Sequence, residues 1–207
     1  MARMLRVAVL ISGRGSNLQA LIDACQQPGF PAEIVRVIAN RPAAEGLARA
    51  ADAGIAFTII DHRDHADKDS FDAALDKDLR DHGAELVCLA GFMRILTPGF
   101  VAAWRDRLIN IHPSLLPSFK GLNAQQSALN AGTRITGCTV HFVRAEMDSG
   151  PIIAQAAVPV LTGDDAASLS ARILAQEHVI YPQALELIAE GRVQIDGNRA
   201  IIDTPGN

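Results

Sequence analysis

Apolar residues in this chain fall into short unbroken runs separated by stretches with helical spacing. Val7-Ala8-Val9-Leu10-Ile11 and Leu86-Val87-Cys88-Leu89-Ala90 are apolar throughout, the pattern of parallel strands covered on both faces. Leu18, Leu21, Ile22 and Cys25 recur at three- and four-residue intervals, which predicts a helix over 16–27 ended by Pro28-Gly29. The same reading gives a strand over 34–39, a helix over 43–53 stopped by Gly54, and a strand over 57–60. A helix over 69–82 follows, with Phe71, Leu75 and Leu79 on one stripe and Gly83 closing it. This alternation argues for an α/β fold: an open, mostly parallel twisted sheet with helices on both faces.

The pattern changes in the second half. Residues 107–111 predict a strand and 123–130 a short helix; 137–143 and 152–160 are β-rich runs. The turn Asp148-Ser149-Gly150-Pro151 joins the last two, so they should pair antiparallel. A long helix is expected over 166–190, and Gly197-Asn198 in the middle of 192–203 suggests a small hairpin. No linker interrupts the pattern. The expectation is one domain, 1–207, with an N-terminal half of about 1–105 and a C-terminal half of about 106–207.

Composition narrows the function classes. With 207 residues, 49% of them hydrophobic, the chain supports one well-buried core. A formal charge of −4 provides no broad basic surface, so no nucleic-acid partner is expected. A local pocket on an acidic protein can still be positive, so a small anionic substrate stays open. No apolar window reaches membrane-spanning length, and the N-terminal residues run directly into a strand without a signal-peptide pattern. A soluble cytoplasmic protein is expected. Cys25, Cys88 and Cys138 are far apart and form no CxxC, which suggests neither a disulfide framework nor a zinc site.

Two places carry candidate chemistry. Ser12-Gly13-Arg14-Gly15-Ser16-Asn17 lies between the first strand and the first helix. There, helix N-terminal N–H groups make an anion site, Gly15 allows close backbone approach, and Ser16 or Asn17 can cap the helix. A monophosphate site competes with a merely tight turn and with a dinucleotide loop. The last fits poorly: Leu18 stands at the third glycine position, and Ala39-Asn40-Arg41 offers no ribose-binding acid. The second place is Asn110-Ile111-His112-Pro113-Ser114-Leu115-Leu116-Pro117. Asn110 and His112 are two apart and share one face of an extended segment. An amide that donates to a developing oxyanion, beside an imidazole, suits acyl-type chemistry. The alternative for His112 is a hydrogen-bonded structural histidine.

Asp148, in the turn between the two β-rich runs, is a candidate to orient that imidazole; a plain turn former is the competing reading. His62 and His65, beside Asp61, Asp64 and Asp67, read as a solvated polar loop before a metal site. His141 reads as packed inside a strand, and His178, next to Glu177, as an exposed or capping residue.

Taken in order, several segments resemble the phosphoribosylglycinamide formyltransferases, folate-dependent enzymes of purine synthesis with a Rossmann-like fold. They are Val9-Leu10-Ile11-Ser12-Gly13-x-Gly15-Ser16-Asn17-Leu18-Gln19, Ala90-Gly91-Phe92-Met93-Arg94-Ile95-Leu96 and the Asn110–Pro117 segment. Gly137-Cys138-Thr139-Val140-His141-Phe142-Val143, Asp148-x-Gly150-Pro151 and Gln176-Glu177-His178-x-x-Tyr181-Pro182 complete the series. The resemblance implies transfer of the formyl group of 10-formyltetrahydrofolate, a co-substrate, to the amine of glycinamide ribonucleotide, with no metal. It implies Asn110, His112 and Asp148 as the catalytic trio. Gly15, Ser16 and Asn17 would hold the phosphate, and Glu177 the ribose or glycinamide part. Met93, Arg94, Ile95, Leu96 and Asn110, with Arg144, Ala145, Glu146, Met147 and Asp148, would line the folate. Lys68 falls where such enzymes carry a basic residue near the folate. It also implies a monomer or homodimer acting on small molecules.

One departure stands out. Many of those enzymes carry His-x-His after the Gly-Leu pair that here is Gly121-Leu122; this chain has Asn123-Ala124-Gln125, which hydrogen-bonds but does not titrate near neutrality. Methionyl-tRNA formyltransferases and formyltetrahydrofolate deformylases share single motifs but carry a further C-terminal or N-terminal domain, so the transfer to glycinamide ribonucleotide is the expected activity.

Overall fold

Capping residues and turn-forming residues set the ends of most elements. Asp67 and Asp165 each accept a backbone N–H from a serine three residues on, while that serine hydroxyl answers the cap's own N–H. These capping boxes start the helices Lys68–Asp81 and Ala166–Ala189. The structure, a computed structural model, describes residues 3–203. In chain order its elements are β1 (Leu5–Ile11), α1 (Ser16–Cys25), β2 (Ala32–Ala39), α2 (Gly46–Asp52), β3 (Phe57–Ile59), α3 (Lys68–Asp81), β4 (Leu86–Leu89) and α4 (Pro98–Ala103). They continue with β5 (Leu108–His112), α5 (Ala124–Asn130), β6 (Ile135–Phe142), β7 (Ile152–Pro159), α6 (Ala166–Ala189), β8 (Val193–Asp196) and β9 (Arg199–Ile202).

Every strand and helix expected from periodicity is present, including the terminal hairpin. Two features escaped it. Helix α4 begins at Pro98 behind Thr97, whose hydroxyl accepts the Phe100 N–H at 3.3 Å; a single six-residue turn is too short to show a period. Helix α2 starts at Gly46, three residues later than expected.

Seven strands form a mostly parallel sheet in the order β3-β2-β1-β4-β5-β6-β7, and β8-β9 form a separate two-stranded sheet. The chain divides into two compact units after Ile109, within β5. In the first, β1 pairs in parallel with both β2 and β4, and β2 with β3. All five residues Val7–Ile11 are fully buried, with Leu18, Leu21, Phe71, Leu75 and Leu79 around them. Each large aliphatic side chain so buried contributes about 1.5–3 kcal/mol. Arg36 on β2 and Asp78 on α3 close a bidentate ion pair at 2.7 and 2.6 Å. In the second unit, β6 and β7 pair antiparallel, with a register shift between Val140 and His141. Helix α6 covers them with Leu169, Ile173, Tyr181, Ala184 and Leu185, all essentially buried. Among the described residues no helix is long and apolar enough to cross a membrane.

Candidate active site

In the second unit, β5 ends on Asn110 and His112, and the chain then turns through Pro113 to Pro117. Side-chain hydrogen bonds hold that turn. Ser114 Oγ donates to Ser118 O at 2.6 Å, and Thr139 Oγ1 donates to Ser114 O at 2.7 Å while accepting from Leu116 N–H at 3.1 Å. His112 is thereby 5% exposed. Its Nε2 lies 3.0 Å from Phe119 O; a carbonyl only accepts, so Nε2 carries the hydrogen. The other ring nitrogen, Nδ1, faces Asp148 Oδ2 at 3.6 Å. Asp148 thus stands beside the imidazole, as the sequence suggested. It adopts a left-handed backbone (φ 49°), and its Oδ2 accepts the Gly121 N–H at 2.8 Å.

A fourth residue joins this group. His141, 2% exposed on β6, puts Nε2 3.4 Å from Asn110 Nδ2 and 3.8 Å from Asp148 Oδ1. Its expected burial is present, but its place beside the trio was not expected. Strand alternation points to its burial but not to its neighbours, which depend on how Asn110 and Asp148 come to lie beside β6. Burial above all pushes the His141 imidazole below its usual proton affinity. A cavity of about 570 Å³ opens on Asp148, with Leu116, Pro117, Lys120, Ile152 and Arg199 in its walls.

Glu177 is a buried carboxylate in the middle of α6. Its charge, second to burial, contributes to the raised proton affinity of Cys138. His178 is half-buried inside α6 rather than exposed or at a helix end. Along the segment 144–148, Arg144 is half-buried and donates to Val143 O at 3.1 Å, whereas Ala145, Glu146 and Met147 are exposed. Glu146 pairs loosely with Lys120 at 3.6 Å.

In the first unit, the glycine loop opens α1. Gly15 itself occupies the N-cap, with φ 69°, and no side chain caps the helix. Ser16 and Asn17 are therefore the first helical residues and not its cap, which corrects the expectation for them. They belong to the first turn of α1, the end of a helix at which anions are favoured. The glycine has a packing cause as well: a Cβ on Gly15 would lie 2.6 Å from Gly46 Cα. Gly46 N–H donates to Gly13 O at 3.0 Å and Arg49 Nε to Arg14 O at 3.0 Å, so α2 braces the loop. Ser12 faces inward and accepts the Met93 N–H at 2.7 Å.

That bond anchors the segment Phe92–Leu96. Phe92 and Leu96 are buried, while Met93 and Ile95 are 61% and 65% exposed, an apolar pair of the kind a flat ring can cover. Arg94 stacks over Phe71, 5.9 Å from the ring centre. Lys68 is exposed as the first residue of α3. His62 and His65 pack edge-on against Phe71, and Asp61 is engaged by Arg63. Among the described residues no cluster of histidine, cysteine and acidic side chains could hold a metal ion.

The family model described as formyl transferase matches residues 5–185. The chain belongs to the formyl transferase family. Within it, the phosphoribosylglycinamide formyltransferase of Escherichia coli K12 is 43% identical over 96% of this chain and 94% of its own length. The trifunctional purine biosynthetic protein adenosine-3 of Gallus gallus is 53% identical over 92% of the chain. The chain spans about a fifth (19%) of that longer relative. Among solved structures, glycinamide ribonucleotide transformylase 1 of Symbiobacterium toebii superposes with a TM-score of 0.96 at 50% identity, covering 99% of this chain and 96% of that one. The family resemblance drawn from the motifs therefore holds across the chain, and with it the mostly parallel α/β sheet.

Proposed function

We propose that this enzyme transfers the formyl group of 10-formyltetrahydrofolate to the amine of N1-(5-phosphoribosyl)glycinamide in de novo purine synthesis. The observation that carries the reading is that Asp148 faces both His112, at 3.6 Å, and His141, at 3.8 Å, while His141 in turn lies 3.4 Å from Asn110 Nδ2. The substrate amine attacks the formyl carbon directly. Asn110 Nδ2 and the protonated His112 stabilise the oxyanion, and Asp148 supports the imidazolium. Collapse breaks the bond from the formyl carbon to the folate nitrogen; the amine's proton passes to that nitrogen, directly or through water, and tetrahydrofolate leaves. The oxyanion is met by side chains throughout, so the reading calls for no metal.

In this reading the chain is one formyltransferase domain. Its N-terminal half binds the substrate phosphate on the N–H groups of Gly15, Ser16 and Asn17. Glu177 takes the ribose or glycinamide part. The folate lies along Met93, Arg94, Ile95 and Leu96 and along Arg144, Ala145, Glu146, Met147 and Asp148, with Lys68 near its acidic end. The enzyme works in the cytoplasm as a monomer or homodimer on these small molecules alone.

The test is a formyl-transfer assay with both substrates, with each omitted in turn, and with chelator. Transfer should need both substrates and survive chelation. Asn110→Ala should lose on the order of a hundredfold in kcat, the usual cost of one oxyanion donor. Release of formate without amide formation, or full activity in Asn110→Ala, counts against the reading.

A further inference from the structure

We propose that His141 is the positioning residue for Asn110: its Nε2 lone pair accepts one amide N–H and so turns the nitrogen end of the carboxamide, not the oxygen, toward the substrate. The inference rests on Asn110 acting as the oxyanion donor.

Hydrogen-bond logic decides the orientation. His141 Nδ1 lies 3.0 Å from Phe142 O. A carbonyl only accepts, so Nδ1 carries the hydrogen. With the ring neutral, Nε2 is then an acceptor and nothing else. The atom facing it at 3.4 Å is Asn110 Nδ2, the end of the amide that can donate. A flipped amide would set its oxygen against a lone pair on one side and against the developing oxyanion on the other.

The surroundings keep the ring neutral. Burial is the main cause of its lowered proton affinity, and the charges of His112 and Lys120 work in the same direction. Asp148 and the Phe142 carbonyl favour the charged form but do not outweigh burial. The distance to Asp148 Oδ1, 3.8 Å, agrees: a carboxylate finds no hydrogen on Nε2 to bond. A protonated His141 would instead offer that hydrogen to Asp148 and release Asn110. Beside this group the β6–β7 ladder slips by one residue: Val140 pairs with Ala154 and His141 with Ile152, which leaves Ile153 of β7 as the extra residue. Bulges of this kind re-aim side chains beside active sites.

Two measurements test this. In the unmodified protein, ring nitrogen NMR at pH 7 should show His141 as the neutral Nδ1–H tautomer; an Nε2–H tautomer or an imidazolium overturns the proposal without reference to activity. In kinetics, His141→Phe should lower kcat on the order of ten- to a hundredfold, with KM for both substrates changed less than about twofold. His141→Gln, whose Oε1 can stand near the Nε2 position, should recover most of the loss. In an Asn110→Ala background the added His141→Phe should cost less than about threefold, because its effect passes through the missing amide. Losses that multiply in the double variant, or a His141→Phe effect confined to KM, overturn the proposal. Full kcat in Asn110→Ala instead removes the reading of Asn110 on which it stands.

Discussion

Gly150→Ala is a sharp test of how β6, the Asp148 turn and the proposed catalytic group depend on one another. Gly150 is buried at the close of the turn that presents Asp148. A Cβ added there would lie 1.7 Å from Phe142 O and 2.8 Å from Phe142 C. Both obstacles are backbone, so no rotamer relieves them. Opening the gap from 1.7 Å to the 3.0 Å that real Cβ contacts respect moves backbone by about 1.3 Å. Two hydrogen bonds end on the groups that must move: Phe142 N–H to Pro151 O at 2.9 Å, and His141 Nδ1–H to Phe142 O at 3.0 Å. Loss of each costs about 1 kcal/mol, more if a buried group stays unpaired, and the overpacking itself costs roughly 1–3 kcal/mol. The expected loss is about 3–5 kcal/mol, which for a chain of this size lowers Tm by roughly 6–20 °C.

Activity should fall beyond what stability explains. A shift of about 1 Å in a positioning group can cost on the order of a hundredfold in rate, and Asp148 lies two residues from the substituted glycine. Gly163→Ala is the control: φ is 88°, but nothing lies within 4 Å of the new Cβ, so only the backbone conformation costs, about 1–2 kcal/mol. Urea unfolding followed by far-UV circular dichroism, with kcat on the folded variants, reads both effects. A Gly150→Ala enzyme no less stable than Gly163→Ala and with full kcat would refute the reasoning.

Gly15→Ala forces a left-handed backbone on alanine and pushes its Cβ to 2.6 Å from Gly46 Cα; KM for the ribonucleotide should rise by tenfold or more, on the order of 1–2 kcal/mol, while KM for the folate stays level, and the reverse pattern refutes the assignment. Burial pushes the Cys25 and Cys138 thiols up to about 12. Unfolded thiols ionise near 9.0, so this contribution to stability is complete below that pH and lost as pH rises toward about 12. Iodoacetamide at pH 8 should leave both unmodified until denaturant is added; rapid labelling of the native protein sinks this. The Arg172 guanidinium above all, then the Leu161 N–H and the Ser168 hydroxyl, hold the Asp164 carboxyl well below the ordinary carboxylate range. That stability is present above the unfolded value near 3.8 and lost as pH falls below it. Arg172→Gln should make acid unfolding less steep, and an unchanged acid limb contradicts the pairing.

Most of the fold was legible because its signals are local. Unbroken apolar runs marked the strands at Val7–Ile11 and Leu86–Leu89, and three- and four-residue spacing marked α1 and α3. Helix α4 was missed because one turn shows no period, although Thr97-Pro98 is a start signal. At the glycine loop, the sequence pointed to Ser16 or Asn17 as cap. The structure gives that position to Gly15, because α2 presses so close that only a glycine facing another glycine fits.

By itself, the sequence determined the order and type of the elements and the pairing of Asn110 with His112 on one strand face, since both follow from periods of a few residues. Motifs spread over nearly the whole chain were also enough to point to the family. Tertiary structure alone decided which distant side chains meet. Asp148, itself left-handed, faces His112, and His141 meets Asn110 beside a register slip between β6 and β7. Neither leaves a local trace: a one-residue slip between paired strands depends on both partners at once, and the sequence of one strand does not contain it.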